Sequence, residues 1–370
     1  MTHPRRRLAT AAVVLVALVA ASGCASTPPP FSASAPPPPA PPSPAIVTPS
    51  PPSPAPPAPT PTPTPLPPWA DLTGLDVDPA LAHRTPLAVM LDDSRAARPQ
   101  SGFNGASIVY QAPADGYETR YLLVFQDGDS ASVGPVRSAR FYLVQWSAEV
   151  HAAMAHYGGD RRTRQYIASH PGPAFSVDGL AGGGAAYRRI SSRKAPHNAY
   201  TATQKLRDVA ERLGADPMLD AAVHRRPFTD PAPIAERGAS QRIRIPYRTN
   251  VITYRYDRES NRYRRSVDGK AQIDPADDRR VTATNVVVLF QKFRIDTKIE
   301  PGHSRPDITT LGTGEALIFR EGRVVSATWS KAGDDAPTLL LDAGGNEIPL
   351  VRGRTFIQVV PIGTKVTHGD

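Results

Sequence analysis

The sequence predicts an α+β fold, in which an N-terminal α/β domain with a mixed sheet is followed by a β-rich, mainly antiparallel domain. Up to Gly214, short continuous apolar runs, typical of strands covered on both faces, alternate with segments of helical period. From Gln241 the pattern changes to polar and apolar alternation with glycine-containing turns. The stretch 216–239 between them holds four prolines and little periodicity. We therefore expect domains at 69–239 and 240–370.

The first domain is predicted from its apolar runs. Strands are expected at 86–92, 106–111, 120–126 and 151–157, and helices at 138–150, 161–169 and about 203–213. This order predicts a mixed sheet with helices packed on it.

The second domain is predicted from alternation. A hairpin is expected at 251–256 and 262–267, and further strands at 286–291, 316–320, 324–330, 338–341 and 355–360. Three of its tyrosines, Tyr254, Tyr256 and Tyr263, lie beside five arginines. They either form a sugar-binding or nucleic-acid-like surface by stacking and cation–π contact or pack across strands, and packing is the expected outcome.

The first 24 residues have the pattern of a bacterial lipoprotein signal. Three arginines precede an apolar run at 8–21, which is too short for a permanent membrane span. The only cysteine, Cys24, follows at once, so we expect Cys24 to be lipidated and the protein to be extracytoplasmic, held to the membrane through this lipid anchor only. Ordinary cleavage and secretion is the alternative.

Residues 25–68 form a proline-rich linker, because half of them are proline. As polyproline II at about 3.1 Å per residue, the linker would reach on the order of 100 Å from the membrane, far enough to work within a cell wall. A proline-rich recognition segment is the alternative.

Charge narrows the range of partners. The formal net charge is +9, and +6 remains after residues 1–68, which hold three arginines and no acid. This mild excess of positive charge suits binding to a cell-wall polymer or another anionic ligand, but the charge is too diffuse to predict nucleic-acid binding. The oligomeric state does not follow from the sequence.

The segment 134–140, Gly-Pro-Val-Arg-Ser-Ala-Arg, is expected to be the centre of a ligand site. Arg137 and Arg140 are three residues apart, and Ser138 is expected to cap the helix that follows. Guanidinium groups beside a helix N-terminus favour a carboxylate, phosphate or sulfate. Pairing with a neighbouring aspartate is the alternative.

Acids and histidines at predicted strand ends supply the remaining candidates. Asp92, Asp115 and His156 are the candidate catalytic residues, since paired carboxylates act as general acid and base on glycans. The candidate ligand-binding residues are Arg120, Arg137, Ser138, Arg140, Gly158, Gly159, His197 and Asn198. The spacing of His156, Asp178 and His197 matches no zinc pattern, so we expect no metal and no cofactor.

Several blocks of the sequence resemble one family. PLAVMLDDS at 86–94, GPVRSAR at 134–140, HYGG at 156–159 and PHNAY at 196–200 are similar to the YerB-like lipoproteins, a bacterial family of unknown function. The resemblance covers about 84–362, with departures at Asp93, at 116–118 and at Phe356. It implies an envelope lipoprotein with an α/β domain, a β-rich domain and no settled activity.

Three functions are consistent with these observations. The first is a membrane-anchored, wall-reaching protein that binds an anionic or glycan ligand through its N-terminal domain. The second is an envelope hydrolase or transferase that uses a carboxylate or histidine in the same cleft. The third is a structural or partner-docking lipoprotein.

Overall fold

The computed structural model describes residues 66–170, 175–219, 223–239, 241–300 and 302–369. This part of the chain forms one compact unit. Within it, no helix is long and apolar enough to cross a membrane. The predicted signal peptide, Cys24 and the proline-rich linker up to residue 65 lie outside the described residues.

Helices are few and short. The α-helices are α1 (Pro79–Ala82), α2 (Phe141–Ala148), α3 (Arg161–Ser169) and α4 (Thr203–Arg212). Single 3-10 turns occur at Arg95–Ala97, Phe103–Gly105, Asp115–Tyr117, Gly184–Ala186 and Ile234–Glu236.

Strands make up most of the fold. Those before residue 240 are β1 (Leu87–Asp92), β2 (Ile108–Pro113), β3 (Thr119–Phe125), β4 (Ala153–His156), β5 (Phe175–Asp178), β6 (Arg188–Arg189), β7 (Ala199–Tyr200) and β8 (Phe228–Thr229). Those after it are β9 (Arg242–Pro246), β10 (Val251–Asp257), β11 (Arg262–Val267), β12 (Lys270–Ala271), β13 (Ile273–Asp274), β14 (Arg279–Arg280), β15 (Thr282–Ala283), β16 (Asn285–Gln291), β17 (Phe293–Glu300), β18 (His303–Ile308), β19 (Gly312–Arg320), β20 (Arg323–Lys331), β21 (Leu339–Leu341), β22 (Leu350–Val351), β23 (Thr355–Pro361) and β24 (Thr367–Gly369).

One mixed sheet of ten strands runs through the molecule, in the order β21-β20-β19-β16-β23-β2-β3-β1-β4-β5. The C-terminal strand β23 lies beside β2, parallel to it, with Ile108 opposite Thr355 and Gln111 opposite Gln358. The strands β16, β19, β20, β21 and β23 of the predicted β-rich domain thus belong to the same sheet as strands of the N-terminal part. The mixed sheet and the β-rich C-terminal region agree with the predicted fold class.

The composition of β23 explains its central position. Six of its seven residues are buried, so both faces of the strand need cover. A strand apolar on both faces is stable only inside a sheet that is covered on both sides. The N-terminal sheet offers that place next to β2, which is also buried along almost its whole length.

The two faces of the sheet carry different cover. On one face, Leu87, Val89 and Leu91 of β1 belong to a core with α4 residues and with the six-stranded sheet of β9–β12, β15 and β24. On the other, Ala88 and Met90 pack with residues of α2. The predicted tyrosines Tyr254, Tyr256 and Tyr263 are buried in the first core, so cross-strand packing is confirmed and a sugar-stacking surface there is excluded.

Candidate functional site

The segment 134–140, which we call the crossing segment, lies across the ends of two parallel strands. The backbone N–H of Arg137 donates to the carbonyl of Met90 in β1 at 2.7 Å. Its carbonyl accepts from the N–H of Tyr157, just after β4, at 3.0 Å. Two residues later, the N–H of Ala139 donates to the carbonyl of Gly158 at 2.9 Å. Strand ends and the loops beside them are where such sheets place ligands, and this segment brings its side chains there.

Asp92, at the end of β1, forms a cluster with Ser94, Arg137 and His197. Its Oδ2 lies 2.6 Å from Nδ1 of His197 and 3.3 Å from Nε of Arg137. Its Oδ1 accepts from the backbone N–H of Ser94 at 3.0 Å. Burial raises the pKa of Asp92, but the Ser94 hydrogen bond and the nearby arginine charges outweigh it and hold this pKa below its usual value. Asp92 is therefore a carboxylate at neutral pH.

Asp115 lies among three arginines. Nε and Nη2 of Arg140 bind its Oδ2, and Nη2 of Arg120 lies 3.3 Å from the same oxygen. Nη1 of Arg305, from β18, donates to Oδ1 at 2.9 Å. Burial opposes ionisation, yet the charges of Arg140 and Arg120 lower the pKa of Asp115 to about 2. A carboxylate held in this way cannot act as a general acid near neutral pH, so the catalytic expectation for Asp115 is not supported.

Arg120 and Arg140 are both almost fully buried. Arg120 also donates from Nη1 to the carbonyl of Ser138 at 2.9 Å. Burial and the neighbouring charge of Arg140 lower the pKa of Arg120 to about 10. Arg120 is therefore a structural residue that holds the crossing segment in place rather than a group open to a ligand.

Ser138 does not cap the helix, which corrects the sequence prediction. Helix α2 starts at Phe141 and its N-cap position is Arg140, without a side-chain cap. The extended course of the crossing segment delays the helix. Ser138 Oγ instead accepts from Nη1 of Arg140 at 3.1 Å.

His156 ends β4 as predicted, but its ring is buried and both nitrogens are in use. Nδ1 lies 2.9 Å from the carbonyl of Gly158, and Nε2 lies 2.9 Å from the hydroxyl of Ser176. Since a carbonyl only accepts, Nδ1 carries the hydrogen and Nε2 accepts from the serine. Burial lowers the pKa of His156 against the influence of Asp178. His156 is thus a neutral support beneath the loop, and it is not placed as a catalytic base.

Gly158 and Gly159 form one wall of an open cleft at the ends of β4 and β5, with a volume of about 460 Å³. Gly158 has φ of +68°, which favours glycine there. We call this the strand-end cleft; it is lined by Ser138, Arg140, Tyr157, Gly158, Gly159, Asp160, Arg164, Asp178, Leu180, Ala181 and Arg305.

The structure thus brings only some of the predicted residues together. Ser138, Arg140, Gly158 and Gly159 line the strand-end cleft, while the other candidates do not. Asn198 is buried and structural: its amide group donates to the carbonyls of Ile190 and Arg193.

Seven lining residues were not among the predicted binding residues: Tyr157, Asp160, Arg164, Asp178, Leu180, Ala181 and Arg305. Asp178 ends β5. In the sequence it was considered only as a metal ligand, and its spacing from His156 and His197 matches no zinc pattern. Tyr157 lies within the HYGG block. Asp160 is the N-cap of α3, and Arg164 follows it by four residues. Arg164 therefore lies on the first turn of the helix, beside Gly159. Arg305 comes from β18, and no local signal connects it with this site.

No group of three or more His, Cys, Asp or Glu side chains that could hold a metal ion occurs in the described ranges.

Comparison with known proteins gives consistent matches along both parts of the chain. Residues 72–216 match the family model described as "Protein of unknown function (DUF3048) N-terminal domain", and residues 243–357 match the corresponding C-terminal domain. The two matches divide the chain in the region where the sequence predicts a boundary; the exact boundary at 239 stays a prediction.

One relative is YerB of Bacillus subtilis (strain 168), which is named as a lipoprotein. It is 32% identical to this chain in an alignment of 303 residues, which covers 79% of this chain and 86% of YerB. The crystal structure of YerB has a TM-score of 0.73 to this structure at 29% identity, covering 82% of this chain and 99% of that one.

Proposed function

This chain belongs to the YerB-like family, whose domains are described as having unknown function, and we propose that it is a cell-envelope lipoprotein that binds a wall glycan in the strand-end cleft. The envelope location rests on Cys24 at the end of a lipoprotein-type signal and on a relative named as a lipoprotein. The proline-rich linker gives the folded part its reach into the wall.

Unused polar groups on the walls of the cleft carry this proposal. The guanidinium of exposed Arg164 makes no hydrogen bond with the described residues, so its donors are available. Asp178 uses Oδ1 to accept from the N–H groups of Gly158 and Leu180, and Oδ2 accepts no hydrogen bond from the described residues, so it is available as an acceptor. A ligand with many hydroxyl groups satisfies donors and acceptors at once, which a simple anion does not.

The ring of Tyr157 adds an apolar surface between these groups. It packs against Gly179, where an added Cβ would lie 2.4 Å from the ring, and against Tyr187 at 5.3 Å between centroids. A fixed, partly buried aromatic ring with polar groups beside it suits one face of a sugar. Asp160 and Asp178 offset the charges of Arg164 and the other arginines, so the cleft as a whole is not strongly basic.

Arg164→Ala tests the proposal, with Arg161→Ala as the matched control. Both arginines are exposed on α3, but only Arg164 lines the cleft. Titration calorimetry with soluble peptidoglycan fragments and with an anionic glycopolymer should show about tenfold weaker binding for Arg164→Ala, the cost of about one charge-assisted hydrogen bond. Arg161→Ala should bind like the wild type. Equal affinities for both variants would remove the cleft as the ligand site.

A second candidate function, that of an envelope hydrolase or transferase, rests on the pair of Asp92 and His197. Asp92 holds Nδ1 of His197, while Nε2 makes no hydrogen bond with the described residues and the side chain is 24% exposed. A carboxylate that orients a histidine in this way leaves Nε2 as a general base, able to take a proton from water or from a substrate hydroxyl. Ser94 approaches Nδ1 rather than Nε2, at 3.3 Å, so it is not placed as the nucleophile of such a pair.

A further inference from the structure

A second cleft, of about 280 Å³, lies at the opposite end of the ten-stranded sheet. The strand-end cleft is at the ends of β4 and β5, which run parallel to β1. The second cleft adjoins residues that precede β2, β16 and β23 and that follow β3, which is antiparallel to β1. Its lining includes Asn104, Ser107, Asp127, Arg262, Thr284 and Arg354.

Two arginines of this cleft have no acidic partner in the described part of the chain. Arg354 is fixed by neutral oxygens: Nε donates to the carbonyl of Ala106 at 2.8 Å, and Nη1 to Oδ1 of Asn104 and the carbonyl of Thr282 at 3.2 Å each. Arg262 makes one side-chain hydrogen bond, from Nη1 to the carbonyl of Asn261 at 3.2 Å. Two partly buried positive charges therefore remain without an ion pair.

The only acid in this lining is already engaged. Asp127 accepts from the hydroxyl of Thr73 at 2.8 Å through Oδ2, and from the hydroxyl of Ser107 at 2.5 Å through Oδ1. Neither Arg262 nor Arg354 forms a salt bridge with it. The contrast with Asp115 is clear, because there a single carboxylate binds the arginines around it directly.

The charge of Arg262 acts on Arg354. Burial, and then the charge of Arg262, lower the pKa of Arg354 to about 10, although the charges of Asp127, Asp274 and Asp277 act in the opposite direction. Burial and the charge of Arg237 lower the pKa of Arg262. Like charges kept together in a polar cleft are stabilised when an anion enters between them. Thr284 also lines this cleft, and its hydroxyl has no partner in the part of the chain that the structure describes.

We infer that the cleft between Arg262 and Arg354 is a binding site for a phosphate group, separate from the strand-end cleft. Arg354 supplies a fixed positive charge, and Arg262 supplies free N–H donors that bind the phosphate oxygens. Guanidinium groups match the geometry of phosphate oxygens, and a phosphate neutralises more charge than a carboxylate does. Free inorganic phosphate and the phosphodiester groups of an anionic envelope polymer share this chemistry.

Arg262→Gln is the direct test, with Arg255→Gln as the matched control. Arg255 is exposed on the neighbouring strand β10 and does not line the cleft. In calorimetric titration of the full chain with inorganic phosphate at constant ionic strength, Arg262→Gln should weaken binding about tenfold or more, and Arg255→Gln less than about twofold. Arg262→Gln should unfold at the wild-type temperature, since it loses a single hydrogen bond to a neighbouring carbonyl.

Two further measurements identify the source of the phosphate and the independence of the site. If the wild type binds poly(glycerol phosphate) with higher affinity than inorganic phosphate, and Arg262→Gln loses this binding, the site is assigned to a polymer. Arg164→Ala should leave phosphate binding unchanged, because it belongs to the other cleft. The inference would be overturned if Arg262→Gln bound phosphate as tightly as the wild type, or if Arg255→Gln lost as much affinity as Arg262→Gln. It would also be overturned if the wild type bound neither compound at millimolar concentration.

Discussion

Asp92 and His197 are 105 positions apart in the chain, yet their side chains lie 2.6 Å apart at the end of β1. The contact depends on the crossing segment: the N–H of Asp92 donates to the carbonyl of Pro135, and the N–H of Val136 donates to the carbonyl of Ala199. One short extended segment thus connects the strand that carries the aspartate with the loop that carries the histidine.

His197→Gln distinguishes a binding protein from an enzyme. If the pair acts as a general base, the rate of hydrolysis of peptidoglycan fragments should fall by about 10²- to 10⁴-fold in His197→Gln. The release of new end groups measures this rate. Fragment binding measured by calorimetry should stay within about twofold in either case, since His197 does not line the strand-end cleft. The exposed His303→Gln is the control. If the wild-type protein cleaves no peptidoglycan fragment, the enzyme hypothesis is wrong and binding remains as the proposed function.

Asp115→Asn should be strongly destabilising. The change removes the charge that balances buried Arg120 and Arg140, and breaking a buried ion pair on one side costs about 3–5 kcal/mol. Asp230→Asn is the matched control: its carboxylate pairs with Arg352, but the side chain is 84% exposed, so we expect a loss of less than about 1 kcal/mol. Denaturant unfolding measures both, and similar losses for the two variants would contradict the role given to Asp115.

The loss of unfolding free energy at acidic pH should depend on Asp115. Its pKa is about 2 in the folded protein against an ordinary value of 3.8, so its ionised form stabilises the fold above pH 3.8, and this contribution disappears as the pH falls towards 2. The difference in unfolding free energy between wild type and Asp115→Asn should therefore shrink by about 2 kcal/mol between pH 5 and pH 2. A difference that stays constant over this range would show that Asp115 is not held ionised by its arginines.

Limited proteolysis should cut first within 216–239, and the two fragments should stay together. β2 and β23 are neighbours in the ten-stranded sheet, and Arg265, buried in the C-terminal part, donates to Oε1 of Gln111 at 2.6 Å. Gel filtration should therefore show one complex of intact size, which separates only in denaturant. Fragments that elute separately from native buffer would indicate two independent domains.

Cys24→Ser should move the protein from the membrane fraction to the soluble fraction. The lipid on Cys24 is the only membrane attachment that the sequence predicts. Thermal unfolding of the folded part should be unchanged, which shows that the substitution acts on the anchor alone. Mass spectrometry of the mature wild-type protein that finds Cys24 present and unmodified would contradict this prediction.

The sequence predicts local structure well here because apolar runs and helical periods are local signals. Strand β1 is found at Leu87–Asp92 and helix α3 at Arg161–Ser169, both within a residue of the expected ranges. The crossing segment was also recognisable, since Gly134-Pro135 marks a turn before two arginines. Asp93, a departure from the family pattern, is buried and accepts from Gln100 at 2.7 Å, a structural contact that needs no functional role.

Long-range partners could not be predicted in the same way. Arg305 reaches Asp115 across 190 positions, and nothing in the residues around either one specifies the other. The place of β23 beside β2 likewise joins residues far apart in the chain, since Ile108 lies opposite Thr355. The sequence does not show that Ser138 precedes the helix without capping it, because a serine before an apolar period has the same pattern whether the chain continues as helix or stays extended for two more residues.

The order of strands in the sheet determines when the molecule can be completed. β2 ends at Pro113 and β23 begins only at Thr355, so β2 has its final neighbour only after the long segment between them has been synthesised. Sheets joined by such distant segments form slowly. An intermediate that lacks β23 therefore presents the edge of β2 to its surroundings, and the arrival of β23 protects the folding chain from aggregation through this edge.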